Sequence, residues 1–514
     1  MVTSADRMNQ VMRSVRSWLT DGGVSIPLTL LALFLAVLIG LVVPTLDSRL
    51  TLTALVAILG GLSLFVVGYR FPWILMLTLA IGIFLAGRDF VKVFQRSGIG
   101  LFSPAELVIV FSALVFVVKA LQHPPLRLPR VPGRLPLLAL GFTWVFAFLQ
   151  GFSYSIVWSL RFSIVVVYAA FLFFVPAVVT SRKRLNVAIK ATMIAAAISV
   201  IQPFLWRGFD GVYWQYGILF FFLLIPVIRW QRYWPVRGLL VIATSWAILT
   251  SEGRSIWVAM AGAFLFFFVL ATQRNWIRKR LRSSLIALAV AGVLMVSGIA
   301  IAYDSLGTSI ATELETLNPA NYLDLSPSTD SASVNNARVR LKMWYDVLQE
   351  SIKHPLLGVG LGTPFYYEGV NEAGVFNESA GWAHPGYNAP HNSYVHILLR
   401  MGFPGLIAYL LFWGQFLWWA VRSIRKMDDA WLRNCALALA LSVFYVLTVG
   451  LTAPALENPY TGCVLWLLAG TLVVTVRLQY RDTSKSVQEQ PVASLSKASS
   501  QVRSLATAAD HKTE

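Results

Sequence analysis

Apolar runs long enough to cross a bilayer recur along this 514-residue chain, beginning near Ile26, Leu50, Phe71, Ala105, Leu135, Ser155, Asn186, Val212, Val236, Arg254, Ser283, Gly402, Arg433 and Thr461. Inside hydrocarbon every backbone N–H and C=O must be satisfied within the protein, and a helix of about 20 residues does this alone. The expected fold class is therefore an all-α polytopic membrane protein with about 14 transmembrane helices (12–14) and one large, partly helical outward loop.

Composition agrees. Hydrophobic residues make up 57% and charged residues 13%, where a soluble domain carries about 25% charged. The formal charge of +18 does not point to nucleic acid, because no RNA- or DNA-binding module signature accompanies it. Lys and Arg in cytoplasmic loops facing anionic lipid explain it more simply. Cys435 and Cys463 both sit in apolar stretches, so they read as packing residues and no disulfide framework is expected. Arg7, Arg13 and Arg16 precede a run of full spanning length with no small-residue cleavage site, which reads as a retained first helix.

Basic residues resist translocation and so set orientation. Arg182-Lys183-Arg184, Arg229/Arg232/Arg237, the Arg274 to Arg282 cluster, Arg422/Arg425/Lys426 and Lys119/Arg127/Arg130/Arg134 fall in alternate loops, which are assigned to the cytoplasm. Arg88/Lys92/Arg96 is the exception. The organisation that follows is a cytoplasmic N-terminal segment (1–25), eleven spans (26–303), a large outward loop (304–390), three spans (391–480) and a disordered cytoplasmic tail (481–514). Arg254 then lies at the outer surface, and Arg161 inside a span about two turns below it. A charge at that depth costs roughly 2.5–3.5 kcal/mol unless it finds a partner or water.

The interval Asn335 to Leu406 concentrates the polar chemistry, with four of the six histidines (His354, His384, His391, His396) beside Arg338, Arg340 and Arg400. Leu341, Trp344, Tyr345, Leu348 and Ile352 recur at helical spacing, predicting a helix capped by Asn335 or Asn336 and ended by Pro355. Arg340 and Trp344 share one face of it. The run Gly358-Val359-Gly360-Leu361-Gly362 permits a tight backbone path; it lacks the strand and lysine of a nucleotide loop. A second helix starts at Asn392 or Ser393, passes His396 and Arg400, and turns at Gly402-Phe403-Pro404-Gly405.

Arg254, Arg340, Arg161 and His391 form an anion-binding set with no acidic metal cage and no cofactor motif. Guanidinium groups hold phosphate in bidentate fashion, and a helix N-terminus offers further donors. Such a set suits the diphosphate leaving group of a lipid-linked sugar. His391 serves either as general base toward an acceptor hydroxyl or as another diphosphate contact. Arg338, Trp344, His384, Asn392 and Tyr394 line up as substrate-binding candidates. Set against this, Arg338 and Arg400 also read as headgroup anchors, His354 as a helix-end residue and His396 as a packed histidine. Phe412, Trp413, Phe416, Trp418 and Trp419 read as an interfacial belt.

Several of these motifs coincide with those of a known family. Arg254 in SEGRSIWVA, Arg340-Leu341 with Trp344, His354-Pro355-Leu356-Leu357-Gly358 with Gly360, and His391-Asn392-Ser393-Tyr394 followed by Gly402 and Gly405-Leu406 resemble the O-antigen ligase and Wzy-type polysaccharide polymerase superfamily. The resemblance implies a metal-independent glycosyltransferase of the bacterial inner membrane, acting at the periplasmic face on undecaprenyl-diphosphate-linked oligosaccharide. It implies that Arg254, Arg340 and His391 hold the diphosphate and assist a glycan or lipid acceptor, with a chain-length regulator and a flippase as partners. Arg400 departs from the pattern, since many members have Glu there. The span count and long loop lean toward a polymerase over a ligase. A lipid-linked glycan flippase and an acyltransferase are the competing readings.

Overall fold

The computed structural model describes residues 131–205, 214–225, 234–250, 254–271, 332–367, 389–458 and 461–480. Among these all regular structure is helical. The first four expected spans, the one near Ser283, most of the 304–390 loop (His384 included) and the tail lie outside the described residues.

In chain order the helices are α1 (Arg134–Phe152), α2 (Ile156–Phe162), α3 (Ile164–Val167), a 3-10 turn (Tyr168–Ala170), α4 (Phe171–Val178), α5 (Arg182–Leu205), α6 (Trp214–Leu224), α7 (Trp234–Thr250), α8 (Arg254–Ala271), α9 (Ala332–Lys353), α10 (Ser393–Lys426) and α11 (Ala430–Val449); α12 is Thr461–Tyr480. Among the described residues five stretches are long and apolar enough to cross a membrane: α1, the run Ile156–Val178, α10, α11 and α12. Shorter apolar helices occupy α6, α7 and α8.

The centre of the bundle is α10, α11 and α12. Trp466 of α12 lies against Phe412 and Trp413 of α10, with ring centroids 5.3 and 4.6 Å away, and donates its indole N–H to Val165 O at 3.1 Å. Phe412, Trp413 and Phe416 are therefore core, and of the expected interfacial belt Trp418 has the exposed position. Cys435 and Cys463 are buried free thiols. On the outside, α1 presents Leu135, Leu138, Phe142 and Leu149 as an exposed apolar row, the face a lipid-bounded helix keeps.

The feature that builds the polar end of the bundle is a break in α10. Gly402 sits at φ 68°, ψ −173°, and Pro404 follows without an N–H. The carbonyls of Leu399 and Arg400 thus lose their helical donors, and Val359 N and Gly360 N replace them at 2.8 and 3.2 Å. Phe403 N donates outward to Pro355 O at 3.0 Å. Irregular backbone within an apolar helix is tolerated where, as here, it is buried in protein. The glycine run threads between α10 and the α1–α2 junction. Leu361 N donates to Ala147 O at 2.9 Å, and a Cβ on Gly362 would fall 2.2 Å from Ser159 Oγ and 2.4 Å from Gly151 O.

Candidate functional site

Beyond the break, the first two turns of α10 rise toward α9. The buried side of α9 is Val339, Met343 and Val347, packed with Val359, Tyr367 and Leu399. This differs from the sequence expectation. Leu341, Tyr345, Leu348 and Ile352 follow the same period, yet Tyr345, Leu348 and Ile352 are exposed. The helix also begins at Ala332, ahead of Asn335 and Asn336.

Two side chains four residues apart on α9 reach the same place. Trp344 Nε1 donates to Pro390 O at 2.6 Å, and Arg340 Nη1 donates to Thr452 O at 3.3 Å in the turn between α11 and α12. His391 follows Pro390 in a left-handed conformation (φ 52°), uncommon for a residue with a side chain. Asn392 caps α10, its side-chain oxygen accepting from Tyr394 N at 3.0 Å and Val395 N at 3.1 Å. Tyr394 donates its hydroxyl to Leu447 O at 2.8 Å.

Ser393 ties this end together. Its amide donates to Gly450 O at 2.8 Å and its hydroxyl to Ala453 O at 3.1 Å, while the amides of Ala455 and Leu456 both donate to that hydroxyl at 3.0 Å. Of the two residues the sequence offered for the helix start, Asn392 is the cap, and nothing in the sequence signalled the wider bonding of Ser393. One consequence corrects an expectation: the first-turn amides of α10 are already occupied, so the helix start offers a dipole field to an anion and few free donors.

The electrostatics follow from these contacts. Burial, reinforced by the nearby Arg340 charge, lowers the His391 pKa to about 4, so the imidazole is neutral near pH 7. Glu457, in the same α11–α12 turn, is fully enclosed, and burial pushes its carboxyl up to about 7. The Ser393 hydroxyl and the Leu456 and Glu457 amides are close enough to offset part of that rise. Neither carboxylate oxygen closes a hydrogen bond of ordinary geometry. Glu457 went unnoticed in the sequence, although it is the only acidic residue between Asp429 and Asp482.

The remaining candidates lie at varying distance from this cluster. Arg338 is buried rather than a solvated headgroup anchor, and two residues from Arg340 it points to a different side of α9. Arg161 lies on α2 with its guanidinium 5.0 Å from the centre of the Trp158 ring. The next residue, Phe162, meets the His396 ring at 4.6 Å and the Arg400 guanidinium at 4.7 Å. His396 is buried, and so is Arg400, which is no headgroup anchor: it donates to Gly360 O at 3.3 Å and to Thr363 O, clamping the glycine run. Arg254 opens α8, and α8 runs antiparallel to α11, Gly262 facing Thr448 and Phe266 stacking on Phe444 at 4.5 Å. Eight residues before Gly262, about 12 Å of helix, the backbone at Arg254 reaches the end of the bundle where α11 gives way to the Thr452 turn. Among the described residues no group of three or more His, Cys, Asp or Glu has the arrangement of a metal site.

These features define a class: a multi-pass, all-α membrane protein whose polar chemistry gathers at one end of the bundle, around a broken helix. Residues 238–410 match the family model described as O-antigen ligase, which bears out the resemblance read from the sequence. The match runs from α7 into α10 and includes Arg254, Arg338, Arg340, Trp344, His384, His391, Asn392 and Tyr394, with Arg161 and Glu457 outside it. No curated protein matches the chain.

Proposed function

We propose that this protein is a membrane glycosyltransferase that transfers or polymerises a glycan carried on undecaprenyl diphosphate, at the periplasmic face of a bacterial inner membrane and without a metal. The observation that carries the reading is that Arg340 and Trp344, one turn apart on α9, bond the Thr452 turn and Pro390, which brings the Arg340 charge within reach of His391 inside a segment that matches the O-antigen ligase model. Arg340 supplies a permanent charge for the diphosphate. A neutral imidazole donates one N–H to a phosphate oxygen and keeps the other nitrogen as an acceptor.

With a pKa near 4 His391 alone is a weak base. Burial is the main cause of that depression and the Arg340 charge the lesser one; a diphosphate bound against Arg340 offsets the lesser part, so substrate arrival raises the basicity of the imidazole that faces the acceptor hydroxyl. Arg254 is assigned to the same diphosphate, and Trp344, Asn392, Tyr394, His384 and Arg161 to the surrounding pocket, Trp344 and Asn392 as residues that position Pro390 and His391; Arg338, on the other side of α9 from Arg340, is left out of it. A flippase would carry its charged groups near the midplane, whereas Arg340 and His391 stand at the end of the bundle.

The test is complementation of a strain lacking the protein. Arg254→Ala, Arg340→Ala and His391→Ala are each expected to lower glycan product on the order of 100-fold at unchanged membrane levels. Arg340→Lys should restore little, because a single ammonium cannot reproduce a bidentate grip. Product of normal length and amount from all three alanine variants would refute the assignment.

A further inference from the structure

Helix α9 has two apolar faces, and the described structure uses one. Val339, Met343 and Val347 pack inward, while Tyr345, Leu348 and Ile352 are 52%, 46% and 61% exposed. With Leu341 these follow i, i+4, i+7 and i+11 spacing, so they form a single stripe along the helix. Charge borders it: Lys342 pairs with Asp346 and lies 5.7 Å from the Tyr345 ring centre, and Lys353 and His354 both pair with Glu350, at 2.9 and 3.3 Å. An unbroken apolar stripe beside paired charges is the pattern of a helix lying in a membrane interface.

What covers the stripe is indicated by what it runs into. Past the end of α9, Leu356 and Leu357 are exposed, and this bend rests on the break in α10, where Phe403 N bonds Pro355 O. From there the exposed residues Phe403, Ile407, Leu411 and Trp418 continue down α10, a helix long and apolar enough to span. The break is also level with the α1–α2 turn, where Phe152, Tyr154 and Ile156 are exposed between two candidate spans. The stripe on α9 thus leads into the exposed apolar surface of helices long and apolar enough to span.

We infer that α9 is an interfacial helix, its Leu341–Tyr345–Leu348–Ile352 stripe immersed in the lipid of the leaflet that surrounds the start of α10. Lys342 and Lys353 then stand at headgroup level, where long basic side chains reach water.

The experiment uses the full chain in phosphatidylcholine/phosphatidylglycerol nanodiscs, with an environment-sensitive fluorophore on Leu348→Cys, Ile352→Cys or Lys353→Cys; the native thiols Cys435 and Cys463 are buried. Labels at 348 and 352 should be quenched several-fold more by shallow doxyl lipids than by aqueous iodide, with the reverse at 353. Iodide quenching at 348 and 352 equal to that at 353 overturns the inference, as does protection from both quenchers, which would mean a protein partner covers the stripe. Leu348→Ala should keep the protein folded while the label at 352 stays lipid-quenched. Because glycan transfer is not the readout, failure here leaves the enzymatic assignment standing, and the reverse.

Discussion

His391 lies two residues before Ser393 and Glu457 follows the Ala455–Leu456 amides that bond to it, and burial moves their pKa values in opposite directions. For His391 the folded value, about 4, lies below the ordinary 6.5. Its contribution to stability is complete above pH 6.5 and is lost as pH falls toward 4, because the unfolded chain takes up the proton first. For Glu457 the folded value, about 7, lies above the ordinary 4.5. Its contribution is complete below pH 4.5 and is lost as pH rises through 7. Each shift corresponds to a few kcal/mol, on the order of 3. Unfolding of the purified protein followed against pH should therefore lose its acid-side decline in His391→Gln and its neutral-side decline in Glu457→Gln. Identical pH profiles for the two variants and the parent would show that neither group is enclosed as described. Neither shift was legible from sequence. Motif spacing brought His391 and Arg340 forward, whereas Glu457 acquires its character from a turn that folds back on Ser393.

At the scale of the element, the broken α10 holds the site in place, and Gly402 is the residue the break requires. A side chain there would adopt φ 68° and put its Cβ 2.7 Å from Pro355 O and 2.8 Å from the Leu356 carbonyl carbon. That backbone conformation, open essentially to glycine alone, costs another residue roughly 1–3 kcal/mol, and the clash is with backbone that cannot swing aside. Gly414, on the same helix, has nothing within 4 Å of a built Cβ. Gly402→Ala should lower the thermal midpoint in detergent and the yield of folded protein, and Gly414→Ala should leave both unchanged or slightly raised; equal behaviour would mean that α10 is continuous. The sequence showed Gly402 and Pro404 as a turn and the glycine run as a tight path. That the two complete each other's hydrogen bonds depends on a contact between segments 40 residues apart. The α9 stripe illustrates the same limit: period 3.6 marks a helix, but with Val339/Met343/Val347 and Tyr345/Leu348/Ile352 both apolar it does not say which face meets α10. Likewise Phe412, Trp413 and Phe416 resemble a belt until α12 brings Trp466 against them.

For the whole molecule, the two ends of α10 separate two kinds of charge. At its C-terminal end Arg422, Arg425 and Lys426 lead into Asp429, which caps α11 and pairs with Arg182 of α5 at 2.9 Å. Two of the basic clusters that set orientation in the sequence are thereby joined at one end of the bundle. At the other end stand Arg340, His391, the Thr452 turn and the α9–α10 bend. A helix of 34 residues places these groups up to about 50 Å of helix path apart, more than a hydrocarbon core of about 30 Å. If basic loops stay inside, the arginine–histidine end must face out. Single cysteines at Lys183 or Asp428 should therefore resist a membrane-impermeant maleimide in intact spheroplasts and react after permeabilisation, while cysteines at Lys353 or His354, both exposed, should react before it. Labelling of both pairs from the same side would mean that the two ends do not lie across the bilayer. Labelling in the opposite sense would put the site in the cytoplasm, where a periplasmic glycan transfer has no acceptor.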